Sequence, residues 1–159
     1  LKMDTIRITL SEEQENRMAK GHFSNGRETG NWDFDCLEGC GALRSSAADL
    51  SRFVAANMGI YESELYPVLQ LTHKVRADAG RADMQIGLGW HILSVYGTKI
   101  IWHNGGTGGF HSFCGFDQAR SIGVVVLSNS NYNIDTIGLH LLEPEIKLPV
   151  VKKKAPAGG

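Results

Sequence analysis

Hydrophobic positions recur at helical intervals through the first half of this chain and alternate in the second, with the change of period beyond residues 76–83. The strongest helix signal begins at Ser46. Ser46 and Asp49 have the Ser-x-x-Asp spacing of a capping box, and Leu50, Phe53, Val54 and Met58 then share a face. Gly59 stands where a left-handed residue closes a helix. Ser11 caps a shorter polar helix running to Met18, with Glu12 and Glu13 in the first turn, where acids oppose the helix dipole. Residues 62–75 give a weaker helix in which Leu65, Val68, Leu69 and Thr72 align and Pro67 must lie in the first turn. Gly21-His22-Phe23 and Gly30-Asn31-Trp32-Asp33-Phe34 read as short extended pieces punctuated by glycine.

The polar stretch 76–83 predicts a loop, and the alternation of Ile86, Leu88, Trp90 and Ile92 predicts one half-buried strand after it. Gly97-Thr98 reverses the chain into residues 99–102, and a glycine-rich segment leads on to a strand over 110–116. Residues 117–121 turn again. The aliphatic run 122–127, broken only by Gly123, predicts a strand buried on both faces. A closing helix is expected over 133–142. The fold class is therefore α+β: three antiparallel strands covered by the last helix, with the earlier helices as a side layer.

Composition narrows the function classes. The 159 residues, 42% hydrophobic and 21% charged, suit one soluble globular domain over residues 1–150. Sixteen basic and 17 acidic side chains leave a net charge of −1, so no footprint for nucleic acid or an anionic membrane surface is present. The basic run Lys152 to Lys154 runs into Ala155-Pro156-Ala157-Gly158-Gly159, and residues 151–159 read as a disordered tail. No apolar stretch approaches the roughly 18 residues of a membrane span. The opening Leu1-Lys2-Met3-Asp4 suggests a piece of a longer protein. Cys36, Cys40 and Cys114 are too few for a disulfide framework, and the Cys36 to Cys40 spacing could hold zinc only with two ligands from elsewhere; buried, unpaired thiols are expected.

The chemistry concentrates in His103-Asn104-Gly105-Gly106-Thr107-Gly108-Gly109-Phe110. Glycine removes the side-chain shield, so such a run suits a strand edge where backbone approaches a ligand. An ordinary glycine-rich hairpin is the alternative. His103 brings an imidazole, which can give a partial positive field or a neutral donor. The glycines lie between strands and lack a following Gly-Lys-Ser or Gly-Lys-Thr, which excludes a phosphate loop. His111 falls on the sheet face of Phe113. His22, His73, His91 and His140 show no paired metal spacing, and a metal hydrolase using His103 and His111 is a minor reading. Asp33 and Asp35 read as solvated loop acids.

Taken together, Gly41-Ala42-Leu43-Arg44-Ser45-Ser46-Ala47-Ala48-Asp49-Leu50-Ser51-Arg52-Phe53, Gly89-Trp90, the segment 103–110, and Gly123-Val124-Val125-Val126-Leu127-Ser128-Asn129 resemble the C-terminal half of the serine β-lactamase-like hydrolases. That family includes class C β-lactamases, D-alanyl-D-alanine peptidases and related esterases. The resemblance implies a β-lactamase/transpeptidase-like fold, incomplete here, with a five-stranded antiparallel sheet flanked by helices. It also implies a Ser-x-x-Lys nucleophile motif and a Tyr-x-Asn motif, neither of which occurs in these residues.

What the resemblance places on this segment is the Lys-Thr-Gly triad of the strand bordering the cleft, matched by His103-Asn104-Gly105. Histidine in the first place resembles some peptidases and esterases rather than class C β-lactamases. Asn104 replaces the threonine hydroxyl that helps hold a substrate carboxylate. Gly106 matches the residue whose backbone N–H forms half of the oxyanion hole, making it catalytic with His103; Asn104, Gly105, Thr107 and Gly108 would contact substrate. The implied reaction opens a lactam, amide or ester bond of a small molecule or D-amino-acid peptide through an acyl-serine intermediate, with no cofactor and no metal. These residues alone would be inactive. The resemblance also implies a periplasmic or secreted bacterial setting. The rival expectation is a non-catalytic binding module that associates with itself through an exposed sheet edge.

Overall fold

A computed structural model describes residues 1–149, so the expected tail over 151–159 lies outside the described residues. Six strands form one antiparallel sheet in sequence order: β3 (Ala77–Arg81), β4 (Met84–Ile86), β5 (His91–Val95), β6 (Thr98–Thr107), β7 (Phe110–Asp117) and β8 (Ile122–Ser128). A separate two-stranded ribbon pairs β1 (Gly21–His22) with β2 (Glu28–Thr29). The helices are α1 (Glu12–Arg17), α2 (Glu38–Gly41) after a 3₁₀ turn at Asp35–Leu37, α3 (Ala47–Asn57), α4 (Tyr66–Thr72) and α5 (Asp135–Leu142). The α+β class holds, but the strands are more numerous than the three expected.

Side-chain alternation along the sheet builds two cores. Ile100 and Trp102 of β6 point with Leu93 and Phe113 toward α5, where Ile134 and Leu142 close the cluster. Ile101 and Phe116 point the other way, to Val54 of α3, to Met58 at its C-cap and to Trp90. Helix α3 forms because Ser46 caps it, accepting from the Asp49 amide at 3.2 Å, and Gly59 follows its end at φ 74°. The Asp49 carboxylate, instead of closing the box, accepts from the Thr5 amide and hydroxyl at 2.8 and 2.6 Å and ties the N-terminal segment down. The Thr5 hydroxyl, with Arg52 in support, holds the Asp49 carboxyl below its ordinary range.

Several expectations need correction. Residues 76–83 contain the edge strand β3, not a loop. The alternating run 86–92 is two strands, β4 and β5, joined by a corner in which Gly89 sits at φ 74° and Gly87 donates to the Trp90 carbonyl at 2.8 Å. Residues 30–34 form no strand; the extended piece lies earlier, in β2. Among the described residues β8 lies at the sheet's edge; its centre is covered on both faces, by Val124 and Val126 against the α5 core and Val125 against the α3 core, but Ile122 and Leu127 are both more than a third exposed. Cys36 and Cys40 are exposed, not buried. Only Cys114 is partly covered, and burial pushes its thiol up to about 11. Two thiols per chain are therefore expected to react quickly with a disulfide reagent at pH 8 and the third slowly; equal rates for all three would contradict this packing.

On the α3 side, His73 donates from Nε2 to Asn57 Oδ1 at 2.8 Å, edge-on to Trp90 and Phe116. Burial, reinforced by Lys99, pushes the ring down from 6.5 to about 4. The unfolded chain then binds the extra proton between these values, so stability falls as pH drops through that window. Between pH 7 and pH 5 the loss should reach about 1–2 kcal/mol, allowing for partial solvent screening. Urea midpoints at the two pH values measure it, and His73→Gln should flatten most of the slope. His91, lowered mainly by burial, adds in the same direction.

Candidate active site

The glycine-rich segment does not sit between strands as expected: residues 103–107 continue β6, and only Gly108 and Gly109 form the turn. Hydrogen-bond parity then fixes which way each backbone group points. In a two-residue hairpin the flanking residues form a bonded pair, and antiparallel pairs alternate between bonded and non-bonded. Val95 opposite Thr98, across Tyr96 and Gly97 at φ 50° and 75°, directs residues 98, 100 and 102 toward β5. Thr107 opposite Phe110 directs residues 103, 105 and 107 toward β7. Both hairpins give the same parity.

Strand β5 ends at His91, opposite Trp102. Beyond that pair the backbone of Asn104 and Gly106 faces a side on which the sheet has no strand among the described residues. The Asn104 carbonyl is taken by the His103 ring, whose Nδ1 donates to it at 2.6 Å. That ring is exposed and stacks on His91, centroids 5.2 Å apart and planes 9° from parallel. Gly106 is exposed, and a methyl group added there would meet nothing nearer than the His111 ring at 3.7 Å. Its neighbours are tighter: a methyl at Gly105 would come within 2.7 Å of Ser112 Oγ.

The β1–β2 ribbon holds the tip of the hairpin. His22 donates its amide to the Gly109 carbonyl at 3.1 Å, and Gly109, at φ 76°, lies so close that a methyl there would be 2.5 Å from the His22 nitrogen. Gly108 lies under the Trp32 ring, which also lines a cavity of about 580 Å³ with Ile8, Leu10, Met18, Phe34 and Arg44. Only the glycine at 109 satisfies both the positive φ and the contact.

Below the overhang, Asp135 at the start of α5 accepts from Asn104 Nδ2 at 2.6 Å and from Asn133 Nδ2 at 3.0 Å, both on Oδ2. His111, the cross-strand neighbour of Gly106, brings Nδ1 to 3.8 Å from Asp135 Oδ1, too far for a hydrogen bond. The structure therefore groups His103, Asn104, Gly105, Gly106 and Thr107 on one overhang with His91, His111 and Asp135 around it. His91 and Asp135 were not among the sequence candidates. Their separation from the triad leaves no local spacing to read, although the Asn133-x-Asp135 turn, in which the Asp135 amide donates to Asn133 Oδ1 at 2.8 Å, is a legible helix start. His103 and His111 are not gathered around a common point with a third ligand; no group of three or more His, Cys, Asp or Glu side chains among the described residues is placed to hold a metal.

The antiparallel sheet sandwiched by α3 and α5, with one strand overhanging its neighbour, matches the β-lactamase/transpeptidase fold of solved structures. The chain matches the β-lactamase family model over residues 1–140 and belongs to that family. Among solved structures it is similar to the D-alanine carboxypeptidase AmpC from Burkholderia cenocepacia, with 23% identity and a TM-score of 0.78 over 89% of this chain and 51% of that one. A class C β-lactamase from Rhodobacter sphaeroides gives 17% and 0.77, covering 91% of this chain and 50% of the other. A β-lactamase/D-alanine carboxypeptidase from Pseudomonas syringae gives 20% and 0.72, covering 82% and 45%. The chain thus spans about half the length of these structures. Among the described residues no helix is long and apolar enough to cross a membrane.

Proposed function

We propose that this chain supplies the substrate-binding strand of a serine hydrolase that cleaves a lactam, amide or ester bond through an acyl-serine intermediate. The observation that supports it is the Gly106 amide, exposed and directed by strand parity away from the ladder, on the residue where the family places half of its oxyanion hole. The substrate carbonyl lies along the overhang, with its oxygen on this N–H. A serine from outside these residues attacks the carbonyl carbon and passes its proton to a basic partner. The tetrahedral oxyanion then collapses, the leaving group departs with a proton, and water releases the acyl group. An amide aimed at the developing charge stabilises the transition state more than the ground state. His103, stacked on His91, stands in the triad's first place and, with Nδ1 committed to the Asn104 backbone carbonyl, presents Nε2; Asn104 and Gly105 follow, and Thr107 extends the wall up to Gly108, which is buried under Trp32.

The complete polypeptide carrying this sequence should give a burst of acyl-enzyme with nitrocefin or a short neutral ester, whereas residues 1–159 alone should stay at background. Absence of a burst with either substrate would end the reading. A self-associating, non-catalytic module is the second reading, favoured by the same unpaired side of β6. A strictly monomeric sedimentation profile at high concentration counts against it.

A further inference from the structure

The side-chain amide of Asn104 is turned so that its nitrogen meets Asp135 at 2.6 Å. An ionised carboxylate only accepts, so the nitrogen end must face it and the side-chain oxygen Oδ1 of Asn104, unlike its backbone carbonyl, is left for a ligand. Asp135 itself is held in place by Asn104 and Asn133, and its other oxygen is buried without a hydrogen-bond partner beside the equally unpartnered His111 Nδ1. Among the described residues no lysine or arginine forms an ion pair with Asp135. Its side chain is 16% exposed, so solvent screens it weakly. Asn104 and Gly106 share a sheet face two residues apart, roughly 7 Å along the strand, and His111, opposite Gly106, lies between it and Asp135, 3.8 Å from the carboxylate.

We infer that Asp135 and Asn104 make the ground beside the Gly106 amide acceptor-rich and anionic, and thereby select esters or amides whose leaving group is uncharged or cationic and offers a hydrogen-bond donor, against those bearing a carboxylate. The inference rests on the hydrolase reading above and names its substrate class. A substrate carboxylate placed over Asn104 meets a carbonyl oxygen and a fixed like charge instead of a hydroxyl or a cation. The repulsion acts on binding and on the transition state alike, because the charge is part of the substrate throughout.

The test is a matched pair: the N-acetylglycyl esters of 3-hydroxybenzamide and of 3-hydroxybenzoate, cleaved by the complete polypeptide and corrected for their hydroxide rates. The benzamide ester is expected to have a kcat/KM at least tenfold higher, and Asp135→Asn should shrink that ratio to about threefold or less. Both esters are measured on one preparation, so the ratio is independent of the fraction folded. A wild-type ratio at or below one, or a ratio unchanged in the variant, overturns the inference. Should neither ester be cleaved, the hydrolase reading is judged by the nitrocefin and neutral-ester burst above. The selectivity is then decided by titrating free 3-hydroxybenzamide and 3-hydroxybenzoate against the Gly106 amide resonance. Tighter binding of the benzamide upholds it; equal affinity, preference for the benzoate, or no shift from either overturns it.

Discussion

Gly106→Pro should leave the fold standing and remove most of the activity of the complete polypeptide. Proline deletes one backbone donor, and at position 106 that donor points away from β7, so no ladder bond is lost. If the amide holds the oxyanion, kcat falls by about 10²–10³, or roughly 3–4 kcal/mol. Gly106→Ala is the companion. It keeps the N–H and adds a methyl that meets only His111 at 3.7 Å, so it should cost far less. Gly105→Pro has the opposite profile: residue 105 bonds to Ser112 across the ladder, and a group built on its α-carbon runs into Ser112 Oγ at 2.7 Å. Losing a ladder bond and overpacking together should destabilise it by about 2–4 kcal/mol. Circular dichroism melting and burst kinetics on the three variants separate the two effects. A Gly106→Pro enzyme with near-normal kcat would show that the amide does not touch the reacting carbonyl.

How much of this was written in the sequence depends on whether the signal was local. Helix α3 was legible because its cap, its apolar stripe and its terminal glycine fall within fourteen consecutive residues, 46–59. Strand β3 was not, because Ala77, Asp78, Gly80 and Arg81 are largely solvated at the sheet's edge, where no alternation is required. The split between β4 and β5 was hidden for a different reason. Ile86, Leu88, Trp90 and Ile92 keep a period of two through a corner that reverses the chain, and Leu88 is left 64% exposed at the bend. Aliphatic continuity in β8 suggested burial on both faces, and its central valines do meet α3 and α5, but the edge position leaves the strand's ends exposed.

Residue order could match His103-Asn104-Gly105 on β6 to the family's motif, but it could not give the direction of the amides there. That direction follows from two hairpin registers at once, and register belongs to pairing rather than to composition. Asp135 belongs to the same category. It reaches Asn104 across 31 positions because α5 packs over Phe113, so the electrostatics of the strand depend on how that helix docks.

That docking can be tested at Gly138, where two general effects oppose each other. Alanine is the better helix former by about 1 kcal/mol, so on propensity alone Gly138→Ala should stabilise α5. A methyl group there, however, would fall 2.2 Å from Phe113 Cδ1 and 2.4 Å from Cγ. Phe113 is 1% exposed and stacked on Trp102 with centroids 5.5 Å apart, so the ring has nowhere to retreat. Overpacking of this kind costs about 3 kcal/mol or more, which outweighs the propensity gain. The net expectation is a loss of about 2–3 kcal/mol, or a Tm lower by roughly 5–10 °C for a chain of this size. Phe113→Leu frees the space, so combining it with Gly138→Ala should cost less than the sum of the two single changes. Strict additivity, or a rise in Tm for Gly138→Ala alone, would mean that α5 does not rest on Phe113. Asp135 would then lose the support that holds it under Asn104.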